Sequence, residues 1–265
     1  MTQPVIRSRQ NERLRLVRAL STRKGRRKHE RFLLEGPRAV REALERAPSR
    51  LEQLLFREDA PPEELIAFAE AHQVPVWPVE PELFDGVAPS DTPQPVLAVA
   101  HLTWGLAAGV LEPGQAPRAA VACCGVQDPG NLGTILRSAH FFGFAGCLVL
   151  PGTHDPWSPK VVRSSAGALF ATPPAQVETA DELLAAASAG GFTPVALVAH
   201  GGEPLGELPA RTLLLVGAEG GGLPDEYLGV TTRVTIPSGE EGAESLNVGI
   251  AFGIVGHAWS RQWNS

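Results

Sequence analysis

The sequence predicts an α/β protein of two domains, a small one over residues 1–101 and a larger one over residues 119–265. Three observations support this prediction. Strand-like and helix-like segments alternate through the first 101 residues, residues 102–118 contain Gly and Pro with little periodicity and indicate a linker, and the strands that follow are unbroken apolar runs. Unbroken runs indicate burial on both faces, so we expect a mainly parallel sheet covered by helices in the second domain.

The first domain is predicted to begin with a basic amphipathic helix. Leu14, Leu16, Val17 and Leu20 form its apolar stripe. A strand (RFLLEG), a helix opened by Pro37 (PRAVREALERA), a strand (LEQLLF), a helix (PPEELIAFAEAHQ) and two further strands (VPVWPV and VLAVAH) then follow in order.

The second domain is predicted to contain the buried strands VACCGV, CLVL, PVALVA, TLLLVGA and VTIP. A last helix starts near Ser245 and runs through LNVGIAFGIVGHAW. Cys123, Cys124 and Cys147 lie in or beside these apolar runs, which favours small buried residues over metal ligands. A zinc site needs a fourth ligand at metal spacing, and the sequence offers none, so we expect no metal.

The charge of the chain is divided unevenly along its length. Residues 1–50 hold 15 Lys and Arg against 5 Asp and Glu, whereas residues 51–265 hold 8 against 24. Ten of the basic residues lie between Arg9 and Arg31, where an ordinary surface helix would interleave acids. Such a block is typical of a surface that binds a phosphate backbone. The residues expected to contact RNA are Arg9, Arg13, Arg23, Lys24, Arg26, Arg27 and Lys28.

Several other classes of protein are not indicated. The first residues, MTQPVIRSRQNER, lack the apolar stretch of a secretory signal, and no apolar run approaches the ~18 residues of a membrane span. We therefore expect a cytoplasmic protein without membrane contact. Walker, G-x-G-x-x-G, H-E-x-x-H and G-x-S-x-G motifs do not occur, which argues against a dinucleotide-dependent oxidoreductase and against common hydrolases.

Three loops that follow buried strands could bind a ligand, because ligands of parallel sheets bind beyond the carboxyl ends of the strands. In residues 128–143, Asp128 to Gly130 would make a turn, Asn131 could cap the next helix, and Arg137 could reach the same pocket. In residues 213–226, the glycines allow the backbone to approach a ligand, and Glu219 could bind backbone amides or pair with an arginine.

The third loop, residues 236–253, contains Ser245 as a candidate helix cap and Asn247 in the first helical turn. A fourth stretch, residues 157–170, carries Lys160 and Arg163 in an otherwise acidic region, and these two cations could hold RNA phosphates.

In family order, these motifs resemble the SpoU (TrmH-type) branch of the SPOUT RNA methyltransferases. The similar patterns are N-x-G-T-I-x-R-S-A, S-P-K-V-V-R-S-S-A-G-A-L-F, L-x-x-G-x-E-G-x-G-L, and I-P followed by E-S-L-N-V. The amino-terminal pattern F-L-L-E-G-x-R-x-V-x-E-A-L resembles the L30e-like substrate-binding domain of that family. The resemblance covers nearly the whole chain.

The resemblance implies a carboxy-terminal SPOUT domain with a deep trefoil knot, a homodimer with the active site at its interface, and S-adenosyl-L-methionine (AdoMet) as cofactor. It implies methyl transfer to a ribose 2′-hydroxyl of RNA, with large-subunit (23S) ribosomal RNA favoured by the separate substrate domain. By resemblance, the cofactor site would comprise Gly217, Glu219, Gly220, Ile236 and Leu246. Catalytic roles would fall to Asn131, Arg137, Glu219, Ser245 and Asn247.

The chain departs from the family pattern in its third loop. Family members usually have I-P-M, whereas this chain has Ile236, Pro237 and Ser238, and the spacer to Leu246 is one residue longer than usual. Individual cofactor contacts in this loop are therefore open. A transfer RNA substrate and a catalytically silent RNA-binding assembly factor are the alternatives. Because a guanidinium is seldom neutral, we expect Arg137 to hold phosphate and to stabilise a developing alkoxide rather than act as a base.

Overall fold

The computed structural model describes residues 3–229, 231–239 and 245–263. The chain divides into two compact units. Unit 1 contains Met1–Thr103 and Trp157–Phe170, and unit 2 contains Trp104–Pro156 and Ala171–Ser265. The sequence placed the segment Trp157–Phe170 in the second domain, whereas by its contacts it groups with the first unit.

The helices and strands alternate along most of the chain. The described helices are α1 (Glu12–Leu20), α2 (Arg23–His29), α3 (Pro37–Arg46), α4 (Glu63–Ala71), α5 (Pro81–Asp85), α6 (Ala107–Val110), α7 (Pro129–Phe141), α8 (Pro159–Ser164), α9 (Ala168–Ala171), α10 (Ala180–Ala189), α11 (Asp225–Leu228) and α12 (Val248–Trp263). The described strands are β1 (Arg31–Glu35), β2 (Leu51–Arg57), β3 (Val76–Val79), β4 (Val96–His101), β5 (Arg118–Cys124), β6 (Cys147–Val149), β7 (Ala175–Gln176), β8 (Thr193–Leu197), β9 (Glu203–Pro204), β10 (Arg211–Gly217) and β11 (Thr232–Thr235).

Unit 1 contains a mixed sheet with the order β1-β4-β2-β3. Strand β4 pairs antiparallel with both β1 and β2, and β2 pairs parallel with β3. Of the four residues of the predicted apolar stripe, Leu14, Val17 and Leu20 are fully buried and Leu16 is partly buried against the same core. The basic segment nevertheless forms two helices rather than one. The backbone of Thr22 is extended, which interrupts the helix. The Thr22 hydroxyl accepts a hydrogen bond from the Gly25 amide and so caps α2 as a separate helix.

The segment Trp157–Phe170 belongs to unit 1 because its aromatic side chains pack on β1. The Phe32 ring lies 4.8 Å from the Trp157 ring and 5.9 Å from the Phe170 ring, centroid to centroid. Helix α8 lies against the same strand. Burial of these large apolar side chains is the main favourable term that ties the segment to the unit.

Unit 2 is built on a seven-stranded sheet with the order β7-β6-β5-β10-β8-β11-β9. Every strand pair described in it is parallel, which confirms the predicted sheet type. The central strand β10 is buried from Thr212 to Gly217, as its unbroken apolar run predicted. Strands β7 and β9 were not predicted, because two residues are too short to show a pattern.

The stretch predicted as a linker contains ordered structure. The Gly105 amide donates to the Pro174 carbonyl oxygen at 3.0 Å, and α6 follows. Val110 and Leu111 are buried in the core of unit 2, so their apolar side chains hold this part of the chain to that unit. Among the residues that the structure describes, no helix is long and apolar enough to cross a membrane.

Candidate active site

The candidate site lies at the carboxyl edge of the parallel sheet in unit 2. A cavity of ≈ 740 Å³ opens there, within the size range of small-molecule sites. It is lined by the residues that follow β8, β10 and β11 and by the start of α12, in the ranges 197–200, 216–220, 236–239 and 245–248. The cavity therefore lies where parallel sheets bind ligands.

All five residues predicted to bind the cofactor line this cavity: Gly217, Glu219, Gly220, Ile236 and Leu246. Gly217 is required by packing, since a Cβ built on it would lie 2.2 Å from the Gly222 carbonyl oxygen. Gly220 is required by conformation, because its φ is +112°, and a Cβ there would meet open space. Two residues of this loop therefore line the cavity without a side chain. A cofactor that is held by backbone groups requires such access.

Three of the predicted catalytic side chains form one hydrogen-bonded chain. The Asn131 Nδ2 atom donates to Glu219 Oε1 at 2.8 Å, and Asn247 Nδ2 donates to Asn131 Oδ1 at 2.8 Å. The Glu219 carboxylate also accepts the backbone amides of Gln127 at 3.1 Å and Asp128 at 3.2 Å. The three partners come from α7, the loop after β10 and the start of α12, so the chain of hydrogen bonds joins three separate elements.

The Glu219 carboxylate is held in its ionised form. Partial burial alone would raise its pKa, but the hydrogen bonds from Asn131 and from the amides of Gln127 and Asp128 outweigh burial and lower the pKa below its ordinary value. An ionised Glu219 can only accept hydrogen bonds, which forces Asn131 to present its NH₂ to it. The Asn131 oxygen consequently faces Asn247.

The first predicted loop needs correction at its helix start. Asn131 does not cap α7 but lies inside its first turn, because the helix begins at Pro129. The cap is Asp128, whose Oδ1 atom accepts the Asn131 amide at 2.8 Å. Proline is favoured at the first helical position, which explains why the predicted turn from Asp128 to Gly130 is instead the beginning of the helix.

The third predicted loop also needs correction. The last helix starts at Val248, not near Ser245, and its cap is Asn247 rather than Ser245. The Asn247 Oδ1 atom accepts the amides of Gly249 at 2.9 Å and of Ile250 at 3.3 Å. Ser245 is exposed on the cavity wall and forms no hydrogen bond with the residues that the structure describes. Residues 240–244, which include most of the unusual spacer, lie outside the described ranges.

Arg137 is not part of the hydrogen-bonded chain. It lies on α7 just under two turns beyond Asn131, and its side chain is exposed. No residue in the described part of the chain forms an ion pair or hydrogen bond with its guanidinium. Its donors are therefore available to an external anion.

The basic residues predicted to bind RNA differ in how far their side chains are exposed in unit 1. Arg9, Arg23, Lys24, Arg27, Lys28 and Lys160 are exposed. Arg26 is an exception that the sequence did not reveal, since it is 3% exposed and its Nη1 atom donates to the Leu20 carbonyl oxygen at 2.8 Å. Its side chain stabilises the junction of α1 and α2 and is not presented at the surface.

Two further basic residues have partners within unit 1. The Arg13 guanidinium stacks 3.7 Å from the centre of the Trp77 ring and contacts Glu12. Arg163 is half exposed, and its Nη1 atom lies 3.7 Å from Oε2 of the buried Glu35. These contacts partly satisfy both guanidinium groups, so they are weaker candidates for phosphate binding than the exposed residues of α2.

Comparison with known proteins identifies the family. A model of the SpoU rRNA Methylase family matches residues 118–257, more than half of the chain, and a model of the MRM3-like substrate binding domain matches residues 11–98. The chain belongs to the SpoU rRNA Methylase family. The predicted family is therefore confirmed.

Individual relatives support this membership. The 23S rRNA (guanosine(2553)-2′-O)-methyltransferase RlmP of Bacillus subtilis is 30% identical over 260 residues, covering 94% of this chain and 96% of the relative. An uncharacterized tRNA/rRNA methyltransferase of Synechocystis is 40% identical over 140 residues, covering 52% of this chain. The chain covers 51% of that cyanobacterial relative, about half its length.

Solved structures of this family share the fold along nearly the whole chain. The AdoMet-bound rRNA methyltransferase of Sinorhizobium meliloti has a TM-score of 0.85 at 29% identity, covering 99% of each chain. The SpoU methyltransferase AviRb of Streptomyces viridochromogenes, in complex with AdoMet, has a TM-score of 0.81 at 26% identity, covering 95% of this chain and 98% of that chain. The predicted SPOUT architecture, a parallel sheet after an amino-terminal substrate-binding domain, is confirmed.

One wall of this SpoU-family site was not predicted from the sequence. The loop after β8, including Val198, Ala199 and His200, lines the cavity but carried no recognised motif. The available signal was positional, since PVALVA is a buried strand, and the loop after it should lie at the same sheet edge as the others. Asp128 was also assigned to a turn and not recognised as the cap of α7.

Proposed function

We propose that this SpoU-family protein transfers a methyl group from AdoMet to a ribose 2′-hydroxyl of large-subunit ribosomal RNA. The observation that carries the proposal is the hydrogen-bonded chain Glu219–Asn131–Asn247 at the edge of the ligand cavity. The nearly full-length relative from Bacillus subtilis, named as a 23S rRNA 2′-O-methyltransferase, supports the choice of rRNA. The match to a substrate binding domain over residues 11–98 also supports an RNA substrate larger than a single nucleotide.

The described residues fit the cofactor. The cavity is large enough for a nucleoside-sized ligand, and the bare backbone at Gly217 and Gly220 can approach it closely. Ile236 and Leu246 supply apolar side chains to the cavity lining. When bound, AdoMet supplies a methyl group on a sulfonium, which is already activated for transfer, so the protein must chiefly align donor and acceptor.

The two asparagines are suited to hold the ribose. Each side-chain NH₂ has two hydrogens, and one is used within the chain of hydrogen bonds. The second hydrogen of Asn131 and of Asn247 can therefore donate to ribose oxygens. Neither amide is basic, so both position the acceptor and neither accepts its proton.

Arg137 supplies positive charge beside the acceptor. Its exposed guanidinium can hold an RNA phosphate with two parallel hydrogen bonds and stabilise the alkoxide that develops during attack. A guanidinium remains protonated in proteins, so the hydroxyl proton leaves to water or to an RNA phosphate and not to Arg137. Arg137→Lys keeps the charge but removes the planar fork, so near-normal turnover of this variant would exclude a role for the fork.

A second copy of the chain is proposed to cover an apolar stripe formed by α12 and the residue Leu246 just before it. Leu246, Ile250 and Ile254 are spaced four residues apart and are 48%, 56% and 40% exposed. Phe141, at the end of the adjacent α7, is 81% exposed. Leu246 also lines the cavity, so a homodimer formed through this stripe would place its interface beside the cofactor site. The trefoil knot that the family resemblance implies is also proposed.

The proposal is tested with the full chain and methyl-labelled AdoMet. Unmodified large-subunit rRNA, partly assembled large subunits and unmodified tRNA are offered in parallel, and nuclease digestion with mass spectrometry identifies the labelled nucleoside. We expect a 2′-O-methyl nucleoside in rRNA, lost in Arg137→Ala. Label in tRNA alone would overturn the rRNA assignment. Absence of label in all substrates, with AdoMet binding intact, would overturn the methyl-transfer proposal in favour of an RNA-binding role.

A further inference from the structure

The polar side chains that line the cavity differ in whether they already form hydrogen bonds within the protein. Glu219 accepts hydrogen bonds from Asn131, Gln127 and Asp128, and Asn247 is bound to Asn131 and to the start of α12. His200, Ser238 and Ser245 also line the cavity and form no hydrogen bond with the described residues. Of the described polar lining, these three side chains therefore have all of their hydrogen-bonding atoms available to a ligand.

AdoMet carries a carboxylate at its methionine end, and this anion requires a hydrogen-bond donor or a cation. The described lining contains neither Lys nor Arg. In the first turn of α12, whose amides could otherwise bind an anion, the amides of Gly249 and Ile250 already donate to the Asn247 side chain. His200 is then the one described lining side chain able to carry a positive charge.

The position of His200 suits a non-reacting part of the cofactor. Strand β10 separates β8 from β5, so the loop that carries His200 lies about 10 Å along the sheet edge from the loop that leads to Asn131. The backbone before His200 is anchored, since the Thr235 hydroxyl contacts the carbonyl oxygens of Val198 and Ala199, each at 2.8 Å. His200 therefore lines the cavity from an anchored loop, and β10 separates the strand before this loop from the strand that leads to Asn131.

We propose that the His200 imidazole donates a hydrogen bond to the carboxylate of AdoMet and thereby distinguishes the intact methionine end of the cofactor. The proposal rests on the proposed function, because it assumes that this cavity is the AdoMet site. His200 would strengthen cofactor binding without contributing to methyl transfer itself. Its loss should raise the KM for AdoMet and leave kcat nearly unchanged.

The test compares AdoMet with decarboxylated AdoMet, which retains the sulfonium and the amine but lacks the carboxylate. Calorimetry measures the Kd of both ligands for the full wild-type chain, for His200→Ala and for Ser238→Ala as a matched cavity control. We expect His200→Ala to weaken AdoMet binding about 10-fold, the size of a hydrogen bond to a charged group, with no change for decarboxylated AdoMet. Ser238→Ala should leave the ratio of the two Kd values as in wild type.

The possible outcomes distinguish the contact between His200 and the carboxylate from the proposed function. Equal weakening of both ligands by His200→Ala would overturn the carboxylate contact and place the imidazole against another part of the cofactor. Unchanged binding of both ligands would show that His200 does not contact the cofactor. Failure of the wild-type chain to bind either ligand would contradict the AdoMet site itself, and with it the proposed function.

Discussion

The side-chain amide of Asn247 donates to Oδ1 of Asn131 at 2.8 Å, across 116 residues of sequence. The oxygen of the same Asn247 side chain accepts the amides of Gly249 and Ile250 at the start of α12. One residue thus caps a helix with its oxygen and orients a proposed ribose-binding amide with its nitrogen. These two roles can be separated by substitution, because they use different atoms.

Asn247→Asp should keep the helix cap and lose the donor to Asn131. We expect a free energy of unfolding within a few tenths of a kcal/mol of wild type, but a kcat lower by about 10²-fold. Asn247→Ala should lower kcat similarly and also cost about 1 kcal/mol of stability. Urea unfolding and methyl-transfer rates measure the two effects, and a fully active Asn247→Asp variant would show that the Asn131 contact is dispensable.

Glu219→Gln should remove a pH-dependent part of the stability of unit 2. Because hydrogen bonds hold the pKa of Glu219 below its ordinary value, its ionised form stabilises the fold. That contribution is present above the unfolded pKa of about 4.3 and is lost as the pH falls through the lower folded pKa. The stability difference between wild type and Glu219→Gln should therefore shrink as the pH is lowered from about 5 through that window.

Urea unfolding at several pH values measures this difference. Glu203→Gln, at an exposed glutamate of β9, controls for the loss of one negative charge. A stability difference for Glu219→Gln that stays constant with pH would contradict the proposed linkage.

The exposed basic residues of α2 should strengthen RNA binding in a salt-dependent way. Replacing Arg23, Lys24, Arg27 and Lys28 by Gln should reduce the slope of log K against log salt by about 0.7–0.9 for each RNA phosphate that the variant no longer neutralises. Arg26→Gln is the matched control, since Arg26 is buried and bonded to Leu20. It should cost about 1–3 kcal/mol of stability while leaving the salt slope unchanged. Filter binding of rRNA fragments across salt concentrations measures the slopes, and an unchanged slope in the fourfold variant would exclude this surface.

The apolar stripe on α12 should be needed for self-association. A charged residue within a buried apolar interface is strongly unfavourable, so Ile250→Lys and Ile254→Lys should shift the chain from dimer to monomer in sedimentation velocity. Leu106→Lys is the control, because Leu106 is 79% exposed but lies outside the stripe. A monomeric wild type, or a dimer that persists in both stripe variants, would contradict the proposed interface.

Much of the fold could be predicted because local patterns report local burial. The unbroken run TLLLVGA forms the central strand β10, and the stripe residues Leu14, Val17 and Leu20 are fully buried. Helix boundaries were less well predicted, since Asp128 and Asn131, or Ser245 and Asn247, are all good cap residues. Which of them caps depends on where the preceding strand or loop places the chain.

The sequence by itself determined the two-part charge distribution, the parallel sheet and the loops that surround the site, since these follow from composition, periodicity and ordered motifs. Only the tertiary structure decided that Glu219 orients Asn131 across 88 residues, that Arg26 is buried, and that the loop of His200 joins the cavity. It also decided that Trp157–Phe170 packs with unit 1. The physical reason is that hydrogen-bond partners and packing neighbours are brought together by the arrangement of strands and helices in space, which no local pattern encodes.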